Sequence, residues 1–231
     1  MPEMVIEPLN NMAVIRDLVT SRDDYEQRLA QISPLLIRKE AYQSFPEPIT
    51  EKDFAPTTHL RDCIQCLACQ SVCPVVAQPD SGFAGPAVLV ALSELAQDPR
   101  DAGARARIAD EVANVFKCVS CYECERVCPS EIPIVGEAIE PLKRLAYQQA
   151  RGVGSTRARA FLEVVKQEGH VNGALVALRT KGITFGTIRL AARLIRRRKI
   201  DLPNILGMLF RRRSKRADAT RRAYQSSEVK Q

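Results

Sequence analysis

CIQCLACQSVCP at residues 63–74 and CVSCYECERVCP at residues 118–129 decide how this chain of 231 residues is read. Both follow C-x2-C-x2-C-x3-C-P, and between them they hold all eight cysteines: Cys63, Cys66, Cys69 and Cys73, then Cys118, Cys121, Cys124 and Cys128. This is the run with which bacterial two-cluster ferredoxins hold 4Fe–4S clusters. Three thiolates of a run wrap one cluster, while the last spacing and the proline turn the chain away, so the fourth cysteine serves the other cluster. The expected ligand sets are Cys63, Cys66, Cys69 and Cys128 for one 4Fe–4S cluster, and Cys118, Cys121, Cys124 and Cys73 for the second. Both sets are complete, which favours electron transfer over chemistry at an open iron, and no catalytic residue is expected.

Two other readings of the cysteines compete. Structural zinc also takes four thiolates at close spacing, but two matching runs that each continue to Cys-Pro favour paired clusters, with a 3Fe–4S form at one site as a variant. A disulfide framework suits small secreted domains. This chain is not small, and its start, MPEMVIEPLNNMAVIRD, has early acidic residues and no unbroken apolar stretch. A reducing cytoplasm is the expected setting. No window approaches the roughly eighteen apolar residues of a spanning helix.

Aromatic content is 5% with no Trp, so the apolar mass is mostly aliphatic, which suits helices packed around small inorganic cofactors. The formal charge of +7 is uneven: residues 181–231 carry 15 Lys or Arg against 3 Asp or Glu, so the basicity belongs to a tail and the cysteine-bearing body is mildly acidic. Residues 184–216 place Ile188, Ala191, Leu194 and Ile195 on a stripe beside Arg189, Arg193 and Arg196. Such a basic amphipathic segment suits an acidic partner surface first and an anionic membrane surface second. Nucleic acid ranks lowest, for want of any binding motif.

Along the chain, Val14, Ile15, Leu18, Val19, Leu29 and Ile32 suggest one or two short helices within 12–36, with Ser21 or Asp23 as caps. Residues 44–60 are proline-rich and aperiodic and read as an extended arm. Between the runs, Gly85-Pro86 opens a helix over 87–97, and Ile108, Val112, Val115 and Phe116 mark another over 104–116. Further helices are expected over 135–150 despite Pro141, from Ser155 to near Gly169, at 171–178, at 184–198 and at 204–213. The fold class is all-α: an α-helical ferredoxin domain with two 4Fe–4S clusters, an extended N-terminal arm and a helical basic C-terminal extension. The expected partition is 1–55 for helices and arm, 56–150 for the dicluster domain, 151–216 for a partner-docking extension, and 217–231 for a loose tail. Ile64, Leu67, Val72 and Val119 are expected to form an apolar shell around the clusters, with Glu123, Glu125 and Glu131 facing solvent or a partner. His59 and His170, the only histidines, are read as an arm residue and a helix-end residue.

The two runs, the insert containing GPAVLVALSELAQDPRD, the continuation CVSCYECERVCPSEIPI and the leading stretch VIRDLVTSRDDYEQRLAQISPLL together resemble a known family. The chain is similar to the C subunits of heterodisulfide reductases and their bacterial sulfur-oxidising relatives. These share an α-helical ferredoxin domain with the iron–sulfur subunits of succinate dehydrogenase and fumarate reductase. The likeness covers about residues 14–150. Neither a plant-type 2Fe–2S domain before residue 14 nor a CCG-type substrate domain is expected. The resemblance implies a relay subunit passing single electrons between a flavin-containing A-like subunit and a heterodisulfide reductase B-like catalytic subunit, in sulfur or thiol–disulfide metabolism. The runner-up is a dicluster relay of a succinate, fumarate or quinone-linked oxidoreductase, peripheral at the inner face of the membrane. A non-redox metal protein with a nucleic-acid-binding tail ranks third.

Overall fold

The computed structural model describes residues 5–41, 45–47, 49–171 and 173–182, with isolated positions beyond. Among the described residues the elements run β1 (Val14–Arg16), β2 (Val19–Thr20), α1 (Asp23–Gln31), α2 (Glu51–Phe54), α3 (Ala68–Ser71), α4 (Pro86–Ala96), α5 (Arg105–Arg107), α6 (Glu123–Arg126), α7 (Glu140–Gln149), α8 (Val153–Glu168) and α9 (Gly173–Lys181). Tight 3-10 turns precede each cysteine run, at His59–Asp62 and Val115–Lys117, and wide π turns occupy Ile108–Val112 and Ile134–Ile139. The domain is helical, as expected. Its two strands form one small antiparallel hairpin.

The chain divides into two compact units, residues 1–155 and 156–231. In the first, α4 is the organising helix. Pro86 occupies its first turn, as the Gly85-Pro86 pair implies, and Val88, Leu89 and Leu92 are completely buried. Gly85 sits at φ +91°, and a Cβ there would lie 1.9 Å from Gln70 Oε1, so only glycine lets the buried Gln70 amide close over the start of α4. The π turn at 134–139, α1, α3 and α7 pack around α4, and the core continues through Tyr25, Ile32, Leu60, Phe83 and Leu142.

Pro141 does not stop its helix, for a local reason. It has no N–H to donate to Glu137 O four residues back. That carbonyl accepts from Gln97 Nε2 at 3.0 Å and Ser93 Oγ at 3.4 Å, both at the end of α4, while the preceding turn widens to π form. The expected helix over 104–116 is likewise divided, because Ala113 N reaches Ile108 O in a π-type bond and Asn114 turns left-handed at φ +52°.

Three expectations need correction. Residues 14–20 are a hairpin rather than a helix: Val and Ile favour extended backbone, Asp17 takes φ +52° at the turn, and Val14, Ile15, Leu18 and Val19 are exposed. The arm is not wholly extended. Thr50 and Asp53 form a capping box that starts α2, Phe54 packs beneath the Arg61 guanidinium at 4.1 Å, and Glu47 pairs with Arg38 and Arg100. Finally, α8 begins at Val153, so Ser155 lies inside its first turn, where its N–H donates to both Asp110 carboxylate oxygens at 3.0 and 3.2 Å. Of the helices expected at 184–198 and 204–213, only isolated positions of the first are described: Arg189, Arg193 and Arg196 are helical and exposed, and Arg197 N donates to Arg193 O at 3.1 Å, while the apolar residues of the stripe and all of 204–213 lie outside the described residues. The second unit shows the rest of α8 together with α9, tied by Arg179 to Glu163 and Gln167.

Arg105 closes the α1 end of the first unit. It is 3% exposed and spends its donors on Ile32 O, Ser33 O, Leu35 O and the equally buried Asp101 carboxylate, all at 2.6–3.0 Å. Burial pushes the Asp101 carboxyl up, but Arg105 and the N–H groups of Ile37 and Gly103 outweigh it and hold it below the usual range. Replacing Arg105 by Leu removes the counter-charge from a buried carboxylate and a donor from three carbonyls. It is expected to cost about 3–5 kcal/mol in denaturant unfolding, with Lys an incomplete rescue because it lacks the planar fork.

Candidate metal centres

Each cysteine run is built on the same local plan. A 3-10 turn delivers the first cysteine in extended conformation, Cys63 at ψ 109° and Cys118 at ψ 125°. The second residue after it is left-handed, Gln65 at φ +54° and Ser120 at φ +52°, and so is the fourth, Leu67 and Tyr122, both at φ +63°. A one-turn helix, α3 or α6, then carries the third cysteine, and these two helices pack on each other. Left-handed backbone costs a non-glycine residue about 1–2 kcal/mol, so its recurrence at matched positions marks a purpose. It turns successive N–H groups toward the sulfurs, the nest geometry that suits anionic clusters. Ser120 N donates to Cys118 Sγ at 3.4 Å, and the Gln65 N–H acts on the Cys63 thiol to pull it down.

The sulfurs gather in two groups that cross the runs. Cys63, Cys66, Cys69 and Cys128 line one cavity, whose apolar wall includes Leu67, Ala87, Val90, Ile132 and Ile134. Cys73, Cys118, Cys121 and Cys124 line another, walled by Val75, Phe83, Pro86, Val135 and Ile139. α4 thus contributes to both cavities, Ala87 and Val90 to one and Pro86 to the other. The cysteines surround a volume rather than a point: among the described residues no three His, Cys, Asp or Glu side chains converge on a single-ion site. Four thiols around an apolar space is the donor chemistry that a 4Fe–4S cluster requires.

The thiols feel one another as this grouping dictates. Burial pushes the Cys63 thiol up, Gln65 N–H pulls it back, and Cys128 and Cys66 push it further. Burial also raises Cys73, opposed by the Val76 and Val75 N–H groups and assisted by Cys118 and Cys121. Cys69 and Cys124, the buried members, are each pushed up to about 12, mainly by desolvation. Cys69 also feels Cys124, so the two groups adjoin on their inner sides. Cys66 and Cys121 are exposed.

Of the expected apolar shell, Leu67 is buried, but Ile64 and Val119 are 68% and 65% exposed at the cavity rims, because the left-handed turn that follows aims the second residue of each run outward. Glu125 is not simply solvent-facing, since its Oε1 accepts Val135 N at 2.6 Å. His59 pairs with Glu137 at 2.9 Å, and His170 is exposed at the end of α8. Three residues carry no signal in the sequence. Asn11 Nδ2 donates to Gln70 O, Ser71 O and Cys73 O, Arg22 clamps Gln65, and Lys143 Nζ reaches Cys118 O and Ser120 Oγ. All three grip the backbone of a run from a distant segment, a role that spacing does not reveal.

Fold and site define a dicluster ferredoxin-like domain. Residues 59–132 match the 4Fe-4S dicluster domain family. The chain is 35% identical over 148 residues to one of the subunits of the fumarate reductase (CoM/CoB) of Methanothermobacter marburgensis, covering 64% of this chain and 29% of that protein. It is 31% identical over 208 residues to the 8-methylmenaquinol:fumarate reductase iron–sulfur subunit of Wolinella succinogenes, covering 87% and 65%. The solved Mycobacterium smegmatis Sdh1 complex in the apo form contains a chain similar to this one, with TM-score 0.58, 30% identity, and 63% and 62% coverage. The chain therefore spans less than two thirds of each of these relatives. Its dicluster domain is homologous to those of the iron–sulfur subunits of succinate dehydrogenases and fumarate reductases, and not specifically to the C subunit of heterodisulfide reductase that the motifs suggest. The cysteine runs that carry that expectation are common to both groups and do not separate them.

In the metal-free chain, alkylation followed by mass spectrometry is expected to label Cys66 and Cys121 first, because they are exposed, and Cys69 and Cys124 last, because burial both covers them and keeps them protonated. The folded chain keeps the protons of Cys69 and Cys124 where an unfolded thiol near 9 has lost them. The stability of the metal-free form should accordingly fall as pH rises from about 9 toward about 12, measurable as a falling denaturation midpoint.

Proposed function

We propose that this chain is the iron–sulfur electron-relay subunit of a succinate/fumarate-type oxidoreductase complex, with substrate chemistry and any flavin in partner chains. The observation that carries it is the sorting of eight cysteines into two crossed groups of four around adjoining cavities, in a domain homologous to such subunits. On this reading Cys63, Cys66, Cys69 and Cys128 ligate one cluster and Cys73, Cys118, Cys121 and Cys124 the other. Bound there, each cluster supplies storage and release of single electrons.

The protein's part is to hold and insulate. The left-handed loops present sulfurs and N–H groups together, α4 and the 134–139 turn exclude water from the inner walls, and the ties from Asn11, Arg22 and Lys143 keep the loops from shifting as charge changes. Residues 1–55 and 151–216 are the segments proposed to dock partners. Among the described residues no helix is long and apolar enough to cross a membrane. A peripheral position at the membrane's inner face fits the quinol in the name of the Wolinella relative. A second reading, relay to a catalytic chain of the heterodisulfide reductase B type, draws on the CoM/CoB in the name of the Methanothermobacter relative.

Anaerobically isolated protein is expected to hold about eight iron and eight sulfide per chain and to give an EPR signal on reduction. Paired substitutions test the crossing. C63S/C128S strikes one group only and should retain about four iron, whereas C63S/C73S strikes both and should retain fewer. The reverse order would mean that each run holds its own cluster, and loading with zinc but no sulfide would remove the relay reading altogether.

A further inference from the structure

The two loops that present the first cysteines are each braced by a cation from elsewhere in the chain, but the two cations are not equivalent. Arg22 donates to Gln65 O at 3.3 Å and to Gln65 Oε1 at 3.4 Å, and its guanidinium also pairs with Glu26 at 3.2 Å. Glu94 adds negative charge felt by Cys63. At the other loop Lys143, on α7 and half-buried, donates to Cys118 O at 3.1 Å and Ser120 Oγ at 3.2 Å. Among the described residues no carboxylate forms an ion pair with it. The carboxylate felt by Cys124 is Glu125, which accepts the Val135 and Gly136 N–H groups.

We propose that Lys143 is a positioning residue that raises the reduction potential of the cluster held by Cys73, Cys118, Cys121 and Cys124. Reduction adds one negative charge to a cluster. A fixed positive charge on the ligand loop therefore favours the reduced form, and net charge around a cluster is one of the determinants of its potential. The effect is stronger at this half-buried place than at the surface, where water screens it. Arg22 has the matching geometric role at the first loop, but Glu26 offsets its charge, so its electrostatic influence is smaller. The inference rests on the proposed ligand sets.

The test is an EPR-monitored potentiometric titration of anaerobically purified, cluster-loaded full-length protein, with iron and sulfide counted on each sample. K143Q keeps a donor for the loop and removes the charge. It is expected to shift one of the two midpoints downward, leaving the other nearly in place, while K143R holds the wild-type value and R22Q gives a smaller shift of the other midpoint. K143M serves as a second neutral variant. Full iron with both midpoints unmoved in K143Q or K143M overturns the proposal. So does loss of iron from both neutral variants with retention in K143R, which would make Lys143 a brace alone. Wild-type protein without two titrating clusters would instead refute the relay reading, an outcome visible before any variant is made.

Discussion

Four side-chain-bearing residues held at positive φ, Gln65, Leu67, Ser120 and Tyr122, determine where the cysteine sulfurs point. None is glycine, so each loop carries a backbone cost of about 1–2 kcal/mol per residue that its surroundings must offset. The offsetting contacts come from far along the chain: Asn11 on the carbonyls that end α3, Arg22 on Gln65, Lys143 on Cys118 and Ser120, and the packing of α3 on α6. A loop fixed in this way gives the sulfurs one arrangement. That suits a relay, because a ligand shell that does not rearrange adds little to the barrier for moving an electron.

The insert between the runs matters for the same reason. α4 begins at the Gly85 contact with Gln70, beside the first run, and lends wall residues to both cavities. Its far end supplies Ser93 and Gln97 to the carbonyl that Pro141 leaves without a helical donor. Removing α4 would open both cavities and loosen the turn that carries Ile134, Val135 and Ile139. Neither cavity is complete without the insert, so a cluster bound there would add its binding energy to the closed fold.

Where the signal is local, the fold can be read directly from the residues. Eight cysteines with their prolines point to two crossed groups, the same groups that line the two cavities and that we propose as ligand sets; Gly85-Pro86 marks the start of α4 to the residue. The hairpin at 14–20 escapes the pattern because Val14, Ile15, Leu18 and Val19 fit a helical stripe as well as a strand pair, and only the left-handed Asp17 and their exposure separate the two. The π turns arise from long-range demands, such as the donors that α4 offers to Glu137, which no window of sequence contains. Arg105 and Asn11 act on backbone carbonyls some sixty to seventy residues away. A carbonyl has no residue identity, so such a contact leaves no trace in spacing.

Burial within each cysteine group sets an inner and an outer side. The third cysteine of each run, Cys69 or Cys124, is buried where the groups adjoin, whereas the second, Cys66 or Cys121, is exposed on the outer side. Ile64 stands at one outer rim and Val119 with Tyr122 at the other, all largely exposed and apolar. An electron crossing from one cluster to the other would pass through the dry interior beside Cys69 and Cys124. On the proposed relay function, exchange with partners is expected at the rims, where an apolar contact can expel water. The rims differ in charge as well, since Arg22 is paired with Glu26 and Lys143 has no carboxylate partner among the described residues. Two sites made from one repeated motif thus need not have equal potentials: what separates them is supplied by α1 and α7, outside the motif.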